Sequence, residues 1–185
     1  VLAIKGAEVI AASFAFKAGA RNNASVPNLR TIGVYGFDQA AFLRSLANAE
    51  VDLLLDVRQR RGVRGSEYAW ANAQRLQAAL AEAGIGYSHL KELAPTTAMR
   101  QLQYAEDAVL GEGKRNRTAL APAYVERYTE EVLDQVDLDP VVRWIGSSSA
   151  ALLCVERDPE ACHRSLIAER LRREQGFEVE HLCPA

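Results

Sequence analysis

The reactive side chains of this chain are concentrated near one end. Five of its six cysteine and histidine residues fall in the last 32 positions: Cys154, Cys162, His163, His181 and Cys183. The densest run is Cys154-Val155-Glu156-Arg157-Asp158-Pro159-Glu160-Ala161-Cys162-His163-Arg164. A thiol in the first turns of a helix, beside cations, is favoured as the thiolate, the form that acts as nucleophile or redox centre. An adjacent histidine can move a proton. Cys162 and His163 are therefore candidate catalytic residues, with Glu156 and Arg164 as candidate ligand-binding groups. Asp158, read as the cap of that helix, works against a thiolate at the same end. Arg164 opens the apolar stripe that continues through Ile167, Ala168 and Leu171, so its guanidinium points inward. It then needs an acidic partner, Asp56 or Glu156, or an anionic ligand. Cys154 reads as a small core residue, as free cysteine usually is. No Arg stands six residues after Cys154 or Cys162, so the phosphate loop of the thiol phosphatases is absent.

A second candidate segment follows an apolar strand. Asp56 ends the run, and Arg58, Arg60, Arg61 and Arg64 crowd the next nine residues, with Gly62 and Gly65 among them. Arginine is a planar, permanently charged donor suited to bidentate capture of phosphate or carboxylate, and a glycine-bearing loop lets backbone N–H groups approach an anion. These four arginines are candidate anion ligands, with Asp56 as a candidate proton acceptor or as the group that orients an arginine. Lys114-Arg115-Asn116-Arg117 forms a second basic loop. Folded over the first, it would give a positive rim on a neutral protein, with Tyr68 and Trp70 near enough to stack on a base.

Metal binding gets less support. His181 and Cys183, with Cys154, Cys162 and His163, would supply enough N and S donors for zinc. No pair has the close Cys-x2-Cys or His-x3-His spacing of common sites, and His181 shares its strand face with Phe177 and Val179. No metal and no cofactor is expected on this reading.

Strand-like and helix-like runs alternate and would place these segments. Strands are expected over Leu29–Tyr35, Val51–Val57, Ile85–Leu90, Ala150–Val155 and Phe177–Leu182. Helices are expected after a cap at Asp38, over Ala71–Ala83 with Gly84 as stop, over Thr97–Leu110, over Pro122–Val136, and over Pro159–Gln175 with Gly176 as stop. Strands alternating with helices of this length imply βαβ crossovers, hence an open, mainly parallel sheet flanked by helices: a Rossmann-like three-layer α/β domain over residues 29–185. In such sheets ligands collect beyond the carboxyl ends of the strands, where both candidate segments begin.

The chain has 185 residues and a net charge of −2, from 22 basic and 24 acidic side chains, which excludes whole-molecule attraction to nucleic acid or anionic membrane. Its three cysteines are odd in number and clustered, which suits a reducing, cytoplasmic setting better than a disulfide framework. Residues 1–28 read as an N-terminal arm or an appended segment. Its run Val1–Ala20 is interrupted by Lys5, Glu8 and Lys17, unlike a secretory signal, and no stretch is apolar enough for a membrane span.

Thr31-Ile32-Gly33, Leu55-Asp56-Val57-Arg58, Gly84-Ile85-Gly86-Tyr87 and above all the Cys-x-Glu-x-x-Pro-x-x-Cys-His-Arg pattern of Cys154–Arg164 resemble the family called domain of unknown function 488. The likeness runs from about Leu29 to Pro184. It implies a Rossmann-like domain of bacterial or archaeal origin, carries no particular reaction, and strengthens Asp56, Arg58, Cys162, His163 and Arg164 as the site. Many members have His-Ser or Tyr-Ser where this chain has Val34 and Tyr35. The function expected is an enzyme acting on a phosphorylated or otherwise anionic small molecule. The alternatives are a nucleotide- or nucleic-acid-binding module without catalysis, and a buried structural ion-pair network of Asp56, Arg58, Glu156 and Arg164, with function lying with a partner protein.

Overall fold

The computed structural model describes residues 28–184; the expected arm, up to residue 27, lies outside them. Five short strands form one sheet: β1 (Asn28–Ile32), β2 (Leu53–Asp56), β3 (Gly86–His89), β4 (Ala150–Leu153) and β5 (Glu178–Leu182). The order is β3-β2-β4-β1-β5, and every pair is parallel. The α-helices are α1 (Gln39–Asn48), α2 (Ala73–Glu82), α3 (Thr97–Leu110), α4 (Pro122–Tyr128), α5 (Asp139–Ser147) and α6 (His163–Gln175).

The continuous apolar character of β2 and β4 explains the layering, because such runs require cover on both faces. Leu53, Leu55, Ala150 and Leu152 pack with Met99, Tyr128, Ile145 and Ile167 beneath α3 to α6. The alternate side chains Leu54, Ala151 and Leu153 pack with Phe42, Leu46, Leu76 and Leu80 of α1 and α2. The three-layer α/β fold expected from the sequence is therefore the fold found. No helix among the described residues is long and apolar enough to cross a membrane.

Local signals placed several boundaries. The Asp38 carboxylate accepts from the Ala41 N–H at 2.7 Å and starts α1. Helix α3 spans the expected residues and ends at Gly111, whose φ of 67° is the left-handed value glycine adopts freely. Three features differ from expectation. The helix expected over Pro122–Val136 changes after Tyr128 into a π turn over Thr129–Leu133, although Tyr124, Tyr128 and Val132 all remain buried. Helix α5 lies in a stretch for which no element was expected.

The third difference matters for the site. The helix expected over Pro159–Gln175 is interrupted. Pro159–Ala161 is a 3-10 turn, Cys162 is extended (φ −141°, ψ 138°), and α6 begins at His163. Asp158 therefore precedes the short turn and does not cap α6; Cys162 holds the cap position. The Cys162 N–H closes the turn on the Pro159 carbonyl, while its own carbonyl accepts from the Ser165 N–H and hydroxyl to restart the helix.

The chain leaves β2 toward the α2 face and leaves β4 toward the α6 face. Adjacent strands whose exits diverge leave a crevice at their carboxyl ends, the usual ligand position in such sheets.

Candidate functional site

A cavity of about 440 Å³ occupies that crevice. Its walls come from the loop after β2 (Arg58 to Arg64), from Arg100, Gln103 and Tyr104 of α3, from Lys114 and Arg117, and from Cys154, Glu156, Cys162 and His163. Tyr35, three residues beyond β1, and Tyr124 of α4 are also part of it.

Cys154, Cys162 and His163 meet at the cavity wall, all three buried. Their donor atoms lie within 4.8 Å of one another. His163 Nδ1 stands 3.7 Å from the Cys154 sulfur and 4.0 Å from that of Cys162. The other ring nitrogen, Nε2, is 3.0 Å from the Val57 carbonyl oxygen. A carbonyl only accepts, so Nε2 carries a proton and Nδ1 is turned to the sulfurs. The ring rests on Tyr128, itself stacked on Tyr124 and anchored through its hydroxyl to the Leu93 carbonyl.

The two thiols are shifted in opposite directions. Burial pushes the Cys162 thiol up, but the hydrogen bond from Cys154 and the charges of Arg164 and His163 outweigh it and hold Cys162 well below an ordinary thiol. Burial pushes Cys154 well above its ordinary value, and its bond to Cys162 adds to this. Burial also opposes a charge on His163, yet the Cys162 thiolate raises it overall. Cys154 has a single S–H, for which a Glu156 carboxylate oxygen at 3.2 Å competes with the Cys162 sulfur. Cys154 is buried as expected of a core residue, but it belongs to this cluster as well.

Arg164 holds the segment in place. Its guanidinium donates to the backbone carbonyls of Glu156 (2.7 Å) and Arg157 (2.8 Å) and to the Thr31 hydroxyl (3.3 Å). The acidic side-chain partner expected from Asp56 or Glu156 is thus replaced by carbonyls. Asp56 is out of reach because it faces the α1–α2 side, while Arg164 lies on α6 across the sheet. Gly33 supplies the necessary closeness: a Cβ there would sit 1.9 Å from the Glu156 carbonyl oxygen.

Asp56 and Arg58 form a closed unit on the opposite face. Both are buried. The carboxylate accepts from Arg58 Nε (2.9 Å), NH2 (2.7 Å) and backbone N–H (3.0 Å), and from the Tyr87 hydroxyl (2.6 Å). Arg58 NH1 donates to the Ala71 carbonyl, and Arg58's own carbonyl accepts from His89. Burial and the Asp56 charge both push the Tyr87 hydroxyl pKa up, so it remains a donor. Among the sequence-derived candidates, Asp56, Arg61 and Arg164 are not on the cavity wall, whereas Arg58, Arg60, Arg64, Glu156, Cys162 and His163 are. Arg61 lies 3.5 Å from the Tyr87 hydroxyl.

The second basic loop does fold over the first. Arg115 donates to the Arg64 carbonyl, pairs with Glu67, and lies over the rings of Tyr35 and Tyr68. Tyr68 is thus packed into the rim, and Trp70 is buried against Phe42. Arg117 pairs with Asp107, which also accepts from Gln103. Lys114 and Arg117 approach one oxygen of Glu156 at 3.6 and 3.7 Å. Sequence reading missed Arg100, Gln103 and Asp107. Their signal was a helix face, at Met99, Gln103 and Asp107, with polar residues in core positions.

Fold and site define a three-layer α/β protein with a parallel sheet and a polar cavity at its carboxyl edge. The chain belongs to the family described as Domain of unknown function DUF488, whose model matches residues 38–171. Comparison with curated proteins and with solved structures finds no match.

Proposed function

We propose that the chain is an enzyme whose substrate is a phosphorylated or otherwise anionic small molecule. The anionic group is held by Arg60, Arg64 and Arg100, and the reacting part lies against Cys162 and His163. The observation that carries this reading is an imbalance of charge on the cavity wall. Arg58 is matched by Asp56, and Arg117 and Lys114 by Asp107 and Glu156. Arg60, Arg64 and Arg100 line the same cavity and have no acidic partner among the described residues. Arg100 Nε and the Gln59 side-chain oxygen are buried without a hydrogen-bond partner, which is costly unless a ligand or water satisfies them. The volume suits a metabolite-sized ligand, and a nucleic-acid chain would reach only the rim.

Thermal unfolding at fixed ionic strength tests the binding half. Inorganic phosphate, pyrophosphate and a nucleoside monophosphate are the probes. At least one should raise the midpoint saturably, and Arg64→Ala with Arg100→Ala should remove the shift. No saturable shift with any probe contradicts the reading. The catalytic half is tested by mass spectrometry of a phosphorylated-metabolite mixture. The wild type should consume a component that His163→Asn spares; a mixture left unchanged reduces the site to a binding module.

A further inference from the structure

The Cys154, Cys162 and His163 cluster has the chemistry and geometry of a metal-binding site. Two sulfurs and one imidazole nitrogen converge from three positions of the chain, all buried, on the wall of the cavity. For zinc, with bonds of about 2.3 Å to sulfur and about 2.0–2.1 Å to nitrogen, tetrahedral ligands stand about 3.6–3.8 Å apart. The Nδ1–sulfur separations of 3.7 and 4.0 Å are close to that spacing. The Val57 carbonyl fixes the proton on the far nitrogen of His163, which leaves Nδ1 as the lone-pair donor. Ligating histidines are usually held in this way, by a carbonyl or carboxylate on the other nitrogen. Two thiolates and a neutral imidazole around a divalent cation sum to zero charge, which suits a buried place. Thiolates also select zinc-like ions over magnesium, calcium and manganese.

We propose that Cys154, Cys162 and His163 bind one thiophilic divalent cation of the zinc type, through the two sulfurs and Nδ1, with its fourth position facing the cavity. Glu156 lies against Cys154 but outside the three-donor set. Lys114 and Arg117 hold it from the other side. Three protein ligands and an open position are the arrangement of catalytic rather than structural zinc. A water or substrate oxygen bound there would be polarised by the cation. The inference deepens the functional reading above and rests on the same cavity, but metal uptake is measured without any anion, so the two can fail separately.

The test uses the full chain, reduced, stripped of metal with a chelator and titrated with Co²⁺ and then Zn²⁺. One ion per chain should bind, with a thiolate-to-cobalt charge-transfer band that zinc abolishes. Cys154→Ser and Cys162→Ser should each weaken binding by more than about a hundredfold, with circular dichroism confirming the fold. Cys183→Ser should change nothing, since that thiol is exposed. Glu156→Gln should retain the ion. In the wild type, zinc should shield Cys154 and Cys162 from alkylation while Cys183 still reacts, a readout that needs no variant. Cobalt binding without a charge-transfer band, affinity indifferent to both serine variants, or thiols left unshielded overturns the proposal. Loss of the ion in Glu156→Gln equal to that in Cys154→Ser overturns the open fourth position.

Discussion

Two polar clusters sit at the carboxyl edge of the sheet, on opposite faces, and they differ in how completely their groups are satisfied. On the α1–α2 face, Asp56 accepts four hydrogen bonds, and Arg58 places its guanidinium on Asp56 and the Ala71 carbonyl. On the α6 face, Cys154, Cys162 and His163 crowd together with only Val57 and Glu156 as outside hydrogen-bond partners among those described, beside a cavity in which Arg60, Arg64 and Arg100 have no acidic partner among the described residues. A closed network of charge and hydrogen bonds holds a backbone in place. Groups crowded together without adequate partners are retained where something else completes them. The Asp56 unit fixes the arginine loop, and the cysteine–histidine unit is where we propose that chemistry takes place.

The contrast can be broken from either side. The largest stability effect is expected at Asp56→Asn, which leaves the Arg58 guanidinium buried without its counter-charge; the cost is about 3–5 kcal/mol, read by urea unfolding. A Cys162→Ser protein that loses as much would erase the distinction between scaffold and site. Gly33→Ala should follow. Its Cβ overlaps the Glu156 carbonyl, so about 1–3 kcal/mol is lost and Glu156 is displaced from Cys154. Unchanged unfolding there would show that the β1 end does not set the site's geometry.

Sequence reading recovered the layers because their causes are local. The apolar runs of β2 and β4, the Asp38 cap and the glycine stops each act within a few residues. It also brought out Asp56 and Arg58 together, since they are two positions apart. The cysteine cluster was harder. Cys154 and Cys162 are eight residues apart, and they meet because a 3-10 turn and one extended residue fold the chain back before α6 begins. Read as continuous helix, the segment assigned the cap to Asp158. Arg164 was correctly placed facing inward, but carbonyls of an irregular turn have no sequence signature, so its partners were expected to be carboxylates.

Smaller effects sharpen the contrast. Tyr87→Phe removes one of the four bonds to Asp56 and should cost about 1 kcal/mol, read by the same unfolding curves. The loop over residues 111–118 should respond to acid. Burial pushes Asp107 up, but the hydrogen bonds of Arg117 and Gln103 and the Arg117 charge more than offset it and hold its pKa low. The stability this contributes is present above the unfolded carboxylate value and is lost as pH falls through the lower folded value. Hydrogen exchange in residues 111–118 should therefore accelerate in that acid range, and Asp107→Asn should flatten the dependence. Smallest of all, Arg60→Ala and Arg64→Ala should leave stability within about 0.5 kcal/mol while weakening phosphate binding.

The most direct test of the division between scaffold and site is a crystal structure of the chain grown with zinc and inorganic phosphate, with anomalous diffraction recorded at the zinc edge. One metal should appear among Cys154, Cys162 and His163. Phosphate should occupy the cavity on Arg60, Arg64 and Arg100, with Asp56 and Arg58 still paired. Zinc confined to surface carboxylates, with the three donors bare and the cavity without phosphate, would contradict the account.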